Sequence, residues 1–74
     1  MKRRILPLTL TINGAQKEIP EETETINMLL NHLQLGNKKA VVERNGVILK
    51  KEQYDEEPVQ AGDTLEIVHF VGGG

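Results

Sequence analysis

The sequence predicts an α+β fold, with a mixed sheet of four or five strands and one main helix packed on one face. Alternating apolar residues near both ends of the chain predict strands, because successive side chains of a strand point to opposite faces. Between those ends, one stretch repeats its apolar residues at helical spacing. The chain has 74 residues, which is enough for one small domain, and we expect that domain to span residues 1–74.

The first two strands are predicted to form an antiparallel hairpin. Every second residue from Leu6 to Ile12 is leucine or isoleucine, so residues 5–12 are predicted to be a strand. Asn13-Gly14 favours the positive φ angles of a two-residue hairpin turn. A shorter strand over residues 16–19 should follow.

One helix is predicted to begin after Thr25, whose hydroxyl can accept a hydrogen bond from a free amide of the first turn. Gly36 is expected to take the left-handed conformation that commonly ends helices. The apolar stripe that faces the core consists of Ile26, Leu29, Leu30 and Leu33.

The second half of the chain is predicted to supply the remaining strands. Residues 40–44 and 47–49 should be strands joined by the tight turn Asn45-Gly46. Residues 50–57 are mostly charged and suit a surface turn or a single helical turn. The last strand is predicted over residues 64–71, pairing in parallel with the first strand in the middle of the sheet. That arrangement is the β-grasp, or ubiquitin-like, fold.

The last predicted strand runs into three glycines, residues 72–74, which we expect to form a flexible tail. Glycine has no Cβ, so such a tail can present the Gly74 carboxylate through a channel too narrow for side chains. Alternation in the strand places Val68 and Phe70 on the sheet face that the helix leaves open. Exposed apolar residues beside a functional terminus indicate a docking patch.

Composition argues against several functions. The chain has no cysteine, so it supplies no cysteine nucleophile, persulfide or thiolate metal ligand. Its formal net charge of −2 argues against nucleic acid as the main partner. No stretch is long enough to span a membrane, and His32 has no partner at metal-ligand spacing. We expect a cytoplasmic protein that holds no metal.

Four stretches together resemble a known family. They are Thr25–Leu30 in the predicted helix, the run Val42–Gly46 (Val-Glu-Arg-Asn-Gly), the segment through Tyr54, and Ala61–Gly74 with its Gly-Asp turn and terminal glycines. They are similar to the ThiS family, the sulfur carriers of thiamin biosynthesis, and the resemblance covers nearly the whole chain. It departs from the family pattern at Lys50, where proline is usual, and in the longer, more basic lead-in Met1–Arg4.

The resemblance implies a protein that is not itself an enzyme and binds no cofactor. An E1-like adenylyltransferase of the ThiF type, using ATP and Mg²⁺, would convert the Gly74 carboxylate to an acyl-adenylate. Sulfur that comes ultimately from a cysteine desulfurase would then displace AMP and leave a thiocarboxylate. A thiazole synthase of the ThiG type would consume that sulfur. The residues implied in presenting the tail are Gly72 and Gly73, and the candidates for partner contact are Val68, Phe70 and Val71.

Other functions remain compatible with the residues. A molybdopterin sulfur carrier would share the tail and its chemistry, although such chains tend to be longer and richer in proline before the terminal glycines. A carrier that modifies proteins or tRNA would also use the tail. A ubiquitin-like binding module would need neither a free C-terminus nor glycines there, so it would tolerate an extended tail.

Overall fold

The computed structural model describes residues 7–36 and 39–69. These residues form five strands, one α-helix and one short 3₁₀ turn. In chain order the elements are β1 (Leu8–Ile12), β2 (Ala15–Ile19), α1 (Ile26–His32), β3 (Ala40–Arg44), β4 (Val47–Ile48), the 3₁₀ turn (Lys51–Gln53) and β5 (Thr64–His69). The predicted strand residues 5–6 and 70–71 lie outside the described ranges.

The five strands form one sheet in the order β2-β1-β5-β3-β4. Strands β1 and β5 are parallel neighbours inside the sheet, with Ile12 opposite Leu65, and the other neighbouring strands are antiparallel. The predicted β-grasp fold is therefore confirmed, including the parallel pairing of the first and last strands. Positive φ angles at Asn13 and Gly14, 52° and 83°, fit the expected hairpin turn.

The core lies between α1 and one face of the sheet. The predicted helical stripe is confirmed, because Ile26, Leu29 and Leu30 are buried and Leu33 packs at the edge of the core. The opposite sheet face is not covered by the helix, and we call it the open face. The most deeply buried large side chains are Leu10, Ile19, Ile26, Leu29, Val42 and Leu65.

The start of α1 is fixed by Thr25 and by the chain segment after the 3₁₀ turn. Thr25 is the predicted N-cap, and its Oγ1 accepts from the Met28 amide at 3.2 Å. The Ile26 amide donates to the Glu57 carbonyl, and the Asn27 amide donates to the Tyr54 carbonyl, both at 2.9 Å. The amides of the first helical turn are therefore satisfied, which removes the cost of burying free donors there.

The end of α1 differs from the prediction that Gly36 would adopt the left-handed conformation. That conformation belongs to Gln34, with φ 64°. The Leu35 amide donates to the Leu30 carbonyl at 2.7 Å, and the Gln34 amide donates to the Asn31 carbonyl at 3.0 Å. These are the two bonds of a Schellman motif. The motif turns Leu35 onto the core, and this burial offsets the strain of a left-handed glutamine, about 1–2 kcal/mol.

Residues 50–57 form the predicted single helical turn, but their one aromatic side chain does not lie on the surface. Tyr54 is buried, with 7% of its area exposed. Its hydroxyl donates to the Ala40 carbonyl at 3.0 Å and accepts from the Val42 amide at 3.2 Å. Strand β4 pairs only with the other end of β3, opposite Glu43 and Arg44. The tyrosine hydroxyl thus satisfies backbone groups of β3 that β4 does not reach.

Candidate functional site

Most of the predicted site residues follow His69, the last described residue. Residues 72–74 and the contact candidates Phe70 and Val71 lie outside the described ranges, so their roles stay predictions. Val68 is described, and it lies on the open face with 56% of its area exposed, as strand alternation predicted. The candidate site that the structure describes is the strand leading to the tail, β5, with the side chains that hold it.

Strand β5 is anchored on both sides close to its end. On the β3 side the ladder continues to the pair Ala40 and His69. On the β1 side the last strand pair is Ile12 and Leu65, and the Asn13 side chain then continues the pairing. Asn13 Oδ1 accepts from the Ile67 amide at 2.7 Å, and Asn13 Nδ2 donates to the Ile67 carbonyl at 3.0 Å. A side-chain amide thus replaces the next backbone partner of β5.

A second asparagine holds the beginning of β5. The Asn45 side chain accepts from the Thr64 amide at 2.9 Å through Oδ1, and the Asn45 backbone amide donates to the Thr64 carbonyl at 2.8 Å. Asn13 and Asn45 each occupy the first position of an Asn-Gly turn, with φ 52° and 51°. Both residues are predictable from the sequence as turn formers, but the binding of their side chains to the last strand is not.

Arg44 and Asp63 form an ion pair beside the second turn. Arg44 Nε donates to Asp63 Oδ2 at 2.9 Å, and Arg44 Nη1 donates to Glu57 Oε2 at 2.7 Å. Asp63 also accepts from the Gln60 amide at 2.9 Å and from Asn45 Nδ2 at 3.1 Å. Burial alone would raise the pKa of Asp63, but these hydrogen bonds and the Arg44 charge together lower it from its ordinary value of 3.8. Two of the stretches that carry the resemblance therefore form one network that shapes the start of β5.

The open face carries exposed apolar side chains near the end of β5. Val68 lies directly opposite Val41 of β3, and 43% of Val41 is exposed. Ile48 of β4, 68% exposed, lies on the same face, opposite Glu43. We call Val41, Ile48 and Val68 the apolar patch. Of these three residues, only Val68 is among those predicted from the sequence to contact a partner. Val41 could have been found too, because it alternates with the buried Val42 in β3.

Among the described residues there is a cleft, but no metal-binding group and no membrane-spanning helix. Within residues 7–36 and 39–69, no group of three His, Cys, Asp or Glu side chains could hold a metal ion. No helix in those two ranges is long and apolar enough to cross a membrane. A cleft of about 280 Å³ near the end of α1 is lined mainly by apolar side chains, with Asn13, Lys17 and His69. What this part of the chain does provide is an anchored strand beside an exposed apolar patch.

Comparison with known proteins identifies the family. The ThiS family model matches residues 10–74. The sulfur carrier protein ThiS of Bacillus subtilis (strain 168) is 48% identical over 65 residues, covering 88% of this chain and 98% of that protein. A thiazole synthase of Paramagnetospirillum magneticum is 40% identical over 67 residues, which are 90% of this chain but 20% of the synthase. The crystal structure of ThiS from Geobacter metallireducens matches with a TM-score of 0.75 at 32% identity, covering 90% of this chain and 100% of that one. The chain therefore belongs to the ThiS family of sulfur carrier proteins.

Proposed function

We propose that this protein carries sulfur as a thiocarboxylate on Gly74 and delivers it to a thiazole synthase in thiamin biosynthesis. One observation gives the proposal its strongest support. The family match runs from residue 10 to Gly74, so it includes the glycines that the chemistry requires. The 48% identity to a sulfur carrier protein ThiS supports the same assignment.

The chemistry begins with activation of the Gly74 carboxylate. A carboxylate is a poor acceptor for a sulfur nucleophile, because its leaving group would be oxide. In the proposed first step a carboxylate oxygen attacks the α-phosphorus of ATP and releases pyrophosphate. The resulting acyl-adenylate is a mixed anhydride with a good leaving group. Hydrosulfide then forms the carbon–sulfur bond as the bond to AMP breaks and one proton is lost. The sulfur comes ultimately from a cysteine desulfurase, whose persulfide must first be reduced by a thiol to release hydrosulfide.

An E1-like adenylyltransferase of the ThiF type is the proposed catalyst of the activation, with its ATP and Mg²⁺. The carrier's part is to dock and to present its carboxylate. Glycines at 72 and 73 favour this presentation, because even an alanine methyl group could clash in a channel fitted to bare backbone. Since the activation consumes ATP, we place the reaction in the cytoplasm.

The proposed sulfur acceptor is a thiazole synthase of the ThiG type. Its support comes from the synthase of Paramagnetospirillum magneticum, in which one fifth of the protein resembles this chain at 40% identity. A carrier-like segment and a synthase in one polypeptide are expected of two activities that work together. The apolar patch, with Phe70 and Val71 after it in the sequence, is the proposed contact surface for the partners.

The test is an intact mass measurement on the purified protein after incubation with ATP, Mg²⁺, the source organism's ThiF-type adenylyltransferase and sulfide. We expect a mass increase equal to the replacement of one oxygen by sulfur, located at Gly74 by fragmentation. Two controls should show no increase: a chain that lacks Gly74 and a chain with one alanine added after it. Both should keep the circular dichroism spectrum of the unmodified protein. An unmodified wild-type chain in the presence of a demonstrably active adenylyltransferase would refute the proposal.

A further inference from the structure

Two glutamates face each other on the open face. Glu43 of β3 lies directly opposite Glu66 of β5 in the antiparallel ladder. Side chains in such a pair lie about 5 Å apart at Cβ, and like charges in this position destabilise a sheet. Neither carboxylate forms an ion pair with any residue in the ranges 7–36 and 39–69. The sheet therefore holds a repulsive pair at its centre that its folding does not need.

The strand residues around this pair on the open face carry no positive charge that would compensate the two carboxylates. Strand alternation and register assign ten strand positions to the open face, and none of the ten is a lysine or an arginine. Lys17 and Arg44, the basic residues within the strands, lie at positions that share the opposite face with Leu10 and Leu65. The open-face positions are Thr9, Thr11, Gln16, Glu18, Val41, Glu43, Ile48, Thr64, Glu66 and Val68.

The acidic pair is contiguous with the apolar patch. Glu43 and Glu66 each lie two residues along their strand from Val41 and Val68, which are the next open-face pair. Ile48 lies opposite Glu43 on the other side of β3. A partner that covers the patch must therefore also cover or closely approach both carboxylates, and it would remove them from water. That is costly unless the partner supplies positive charge.

We propose that Glu43 and Glu66 are the recognition site for one or more arginine or lysine side chains on the adenylyltransferase surface that covers the apolar patch. The inference rests on the proposed function and specifies the chemistry of the partner's surface. A second copy of this chain does not fit the site, because a symmetric contact through this face would bring four glutamates together. An arginine placed between the carboxylates would form charge-assisted hydrogen bonds with both of them. Binding would therefore relieve a repulsion that is present in the free protein.

The test compares two doubly neutralised variants that have the same net charge. The first is Glu43→Gln with Glu66→Gln. The control is Glu52→Gln with Glu56→Gln, which neutralises two exposed carboxylates on the segment that packs against the start of α1. The association rate, the dissociation rate and the resulting dissociation constant with the source organism's ThiF-type adenylyltransferase are measured by stopped-flow fluorescence over a range of salt concentrations.

We expect the first variant to bind about tenfold more weakly than wild type at low ionic strength and with a smaller salt dependence, because loss of a charge pair at the edge of an interface slows association and loss of a buried pair speeds dissociation. The control should stay close to wild type. The melting temperature of the first variant should be equal to or above that of wild type, since a repulsive pair is removed. A loss of fold therefore cannot cause the weaker binding.

The result that would overturn the inference is an equal dissociation constant for the two variants at every salt concentration. A drop in the melting temperature of the first variant would also overturn it, because it would show that the glutamates stabilise the sheet. The intact mass measurement separates this failure from failure of the proposed function. If wild type gains sulfur at Gly74 while the two variants bind with equal dissociation constants, only the role of Glu43 and Glu66 is refuted.

Discussion

Replacing Tyr54 by phenylalanine removes one hydroxyl from the interior and leaves the ring in place. The hydroxyl is the partner of two backbone groups of β3, the Ala40 carbonyl and the Val42 amide. The Val42 residue is fully buried, so water cannot easily replace the lost acceptor. Ala40 in turn pairs with His69 at the end of β5. The substitution therefore tests a contact that supports the strand leading to the tail.

The expected cost follows from these two bonds. Leaving a buried backbone donor without a partner costs about 1–3 kcal/mol. The Ala40 carbonyl is less enclosed and can turn to water at lower cost. We therefore expect the Tyr54→Phe variant to lose about 2 kcal/mol of unfolding free energy. For a domain of this size, each kcal/mol lowers the melting temperature by about 4–8 °C, so the melting temperature should fall by roughly 10 °C.

Urea and thermal unfolding followed by circular dichroism measure this loss. The matched control is Thr9→Val, which removes a hydroxyl from an exposed strand position and should change stability by less than about 0.5 kcal/mol. Hydrogen exchange adds a local measurement, because the Val42 amide should lose protection in Tyr54→Phe. If the two variants are equally stable and the Val42 amide stays protected, the hydroxyl does not pair with β3 and the reasoning is wrong.

Two further predictions concern the polar network and the helix end. The pKa of Asp63 is lowered in the folded protein. The stabilisation that the Asp63 carboxylate gives to the fold is therefore present above about pH 3.8 and is lost as the pH falls through the pKa of the folded protein. Asp63→Asn should therefore cost about 2 kcal/mol at neutral pH and much less in strong acid, and equal losses in urea at both pH values would contradict this. Gln34→Gly should raise the melting temperature, since glycine takes φ 64° without strain. The unfolding free energy of the variant should increase by about 1 kcal/mol. An unchanged or lower melting temperature would show that the left-handed turn is not strained.

The sheet and its open face could be predicted because one periodicity determines them. Leu65 and Ile67 are buried and Val68 is exposed, as the alternation of the last strand requires. The helical stripe is equally regular. In both cases a single strong effect, burial of apolar surface on one face, decides the outcome. Weaker local preferences do not compete with it.

The errors have a different origin, because they involve contacts that exist only in the assembled fold. Nothing near Asn13 in the sequence indicates that its amide will bind Ile67, which is 54 residues away. Tyr54 lies in a charged stretch, and its burial depends on where β4 stops along β3. At the helix end, local preference favoured Gly36, but Gln34 is the residue whose left-handed turn brings Leu35 onto the core. Each depends on the assembled fold, and local propensity does not contain that information.

The position of Val68 limits the distance between the docking surface and the nucleotide in the proposed partner. Six residues follow Val68, up to and including Gly74, and a fully extended chain spans at most about 3.3–3.6 Å per residue. In the proposed reaction, the Gly74 carboxylate can therefore lie no farther than about 22 Å from the Val68 backbone. If the proposed adenylyltransferase binds the patch, its nucleotide must lie within about that distance of its docking surface. The anchoring of β5 by Asn13 and β3 gives this limit a fixed origin, because the strand cannot slide to lengthen the tail without breaking those hydrogen bonds.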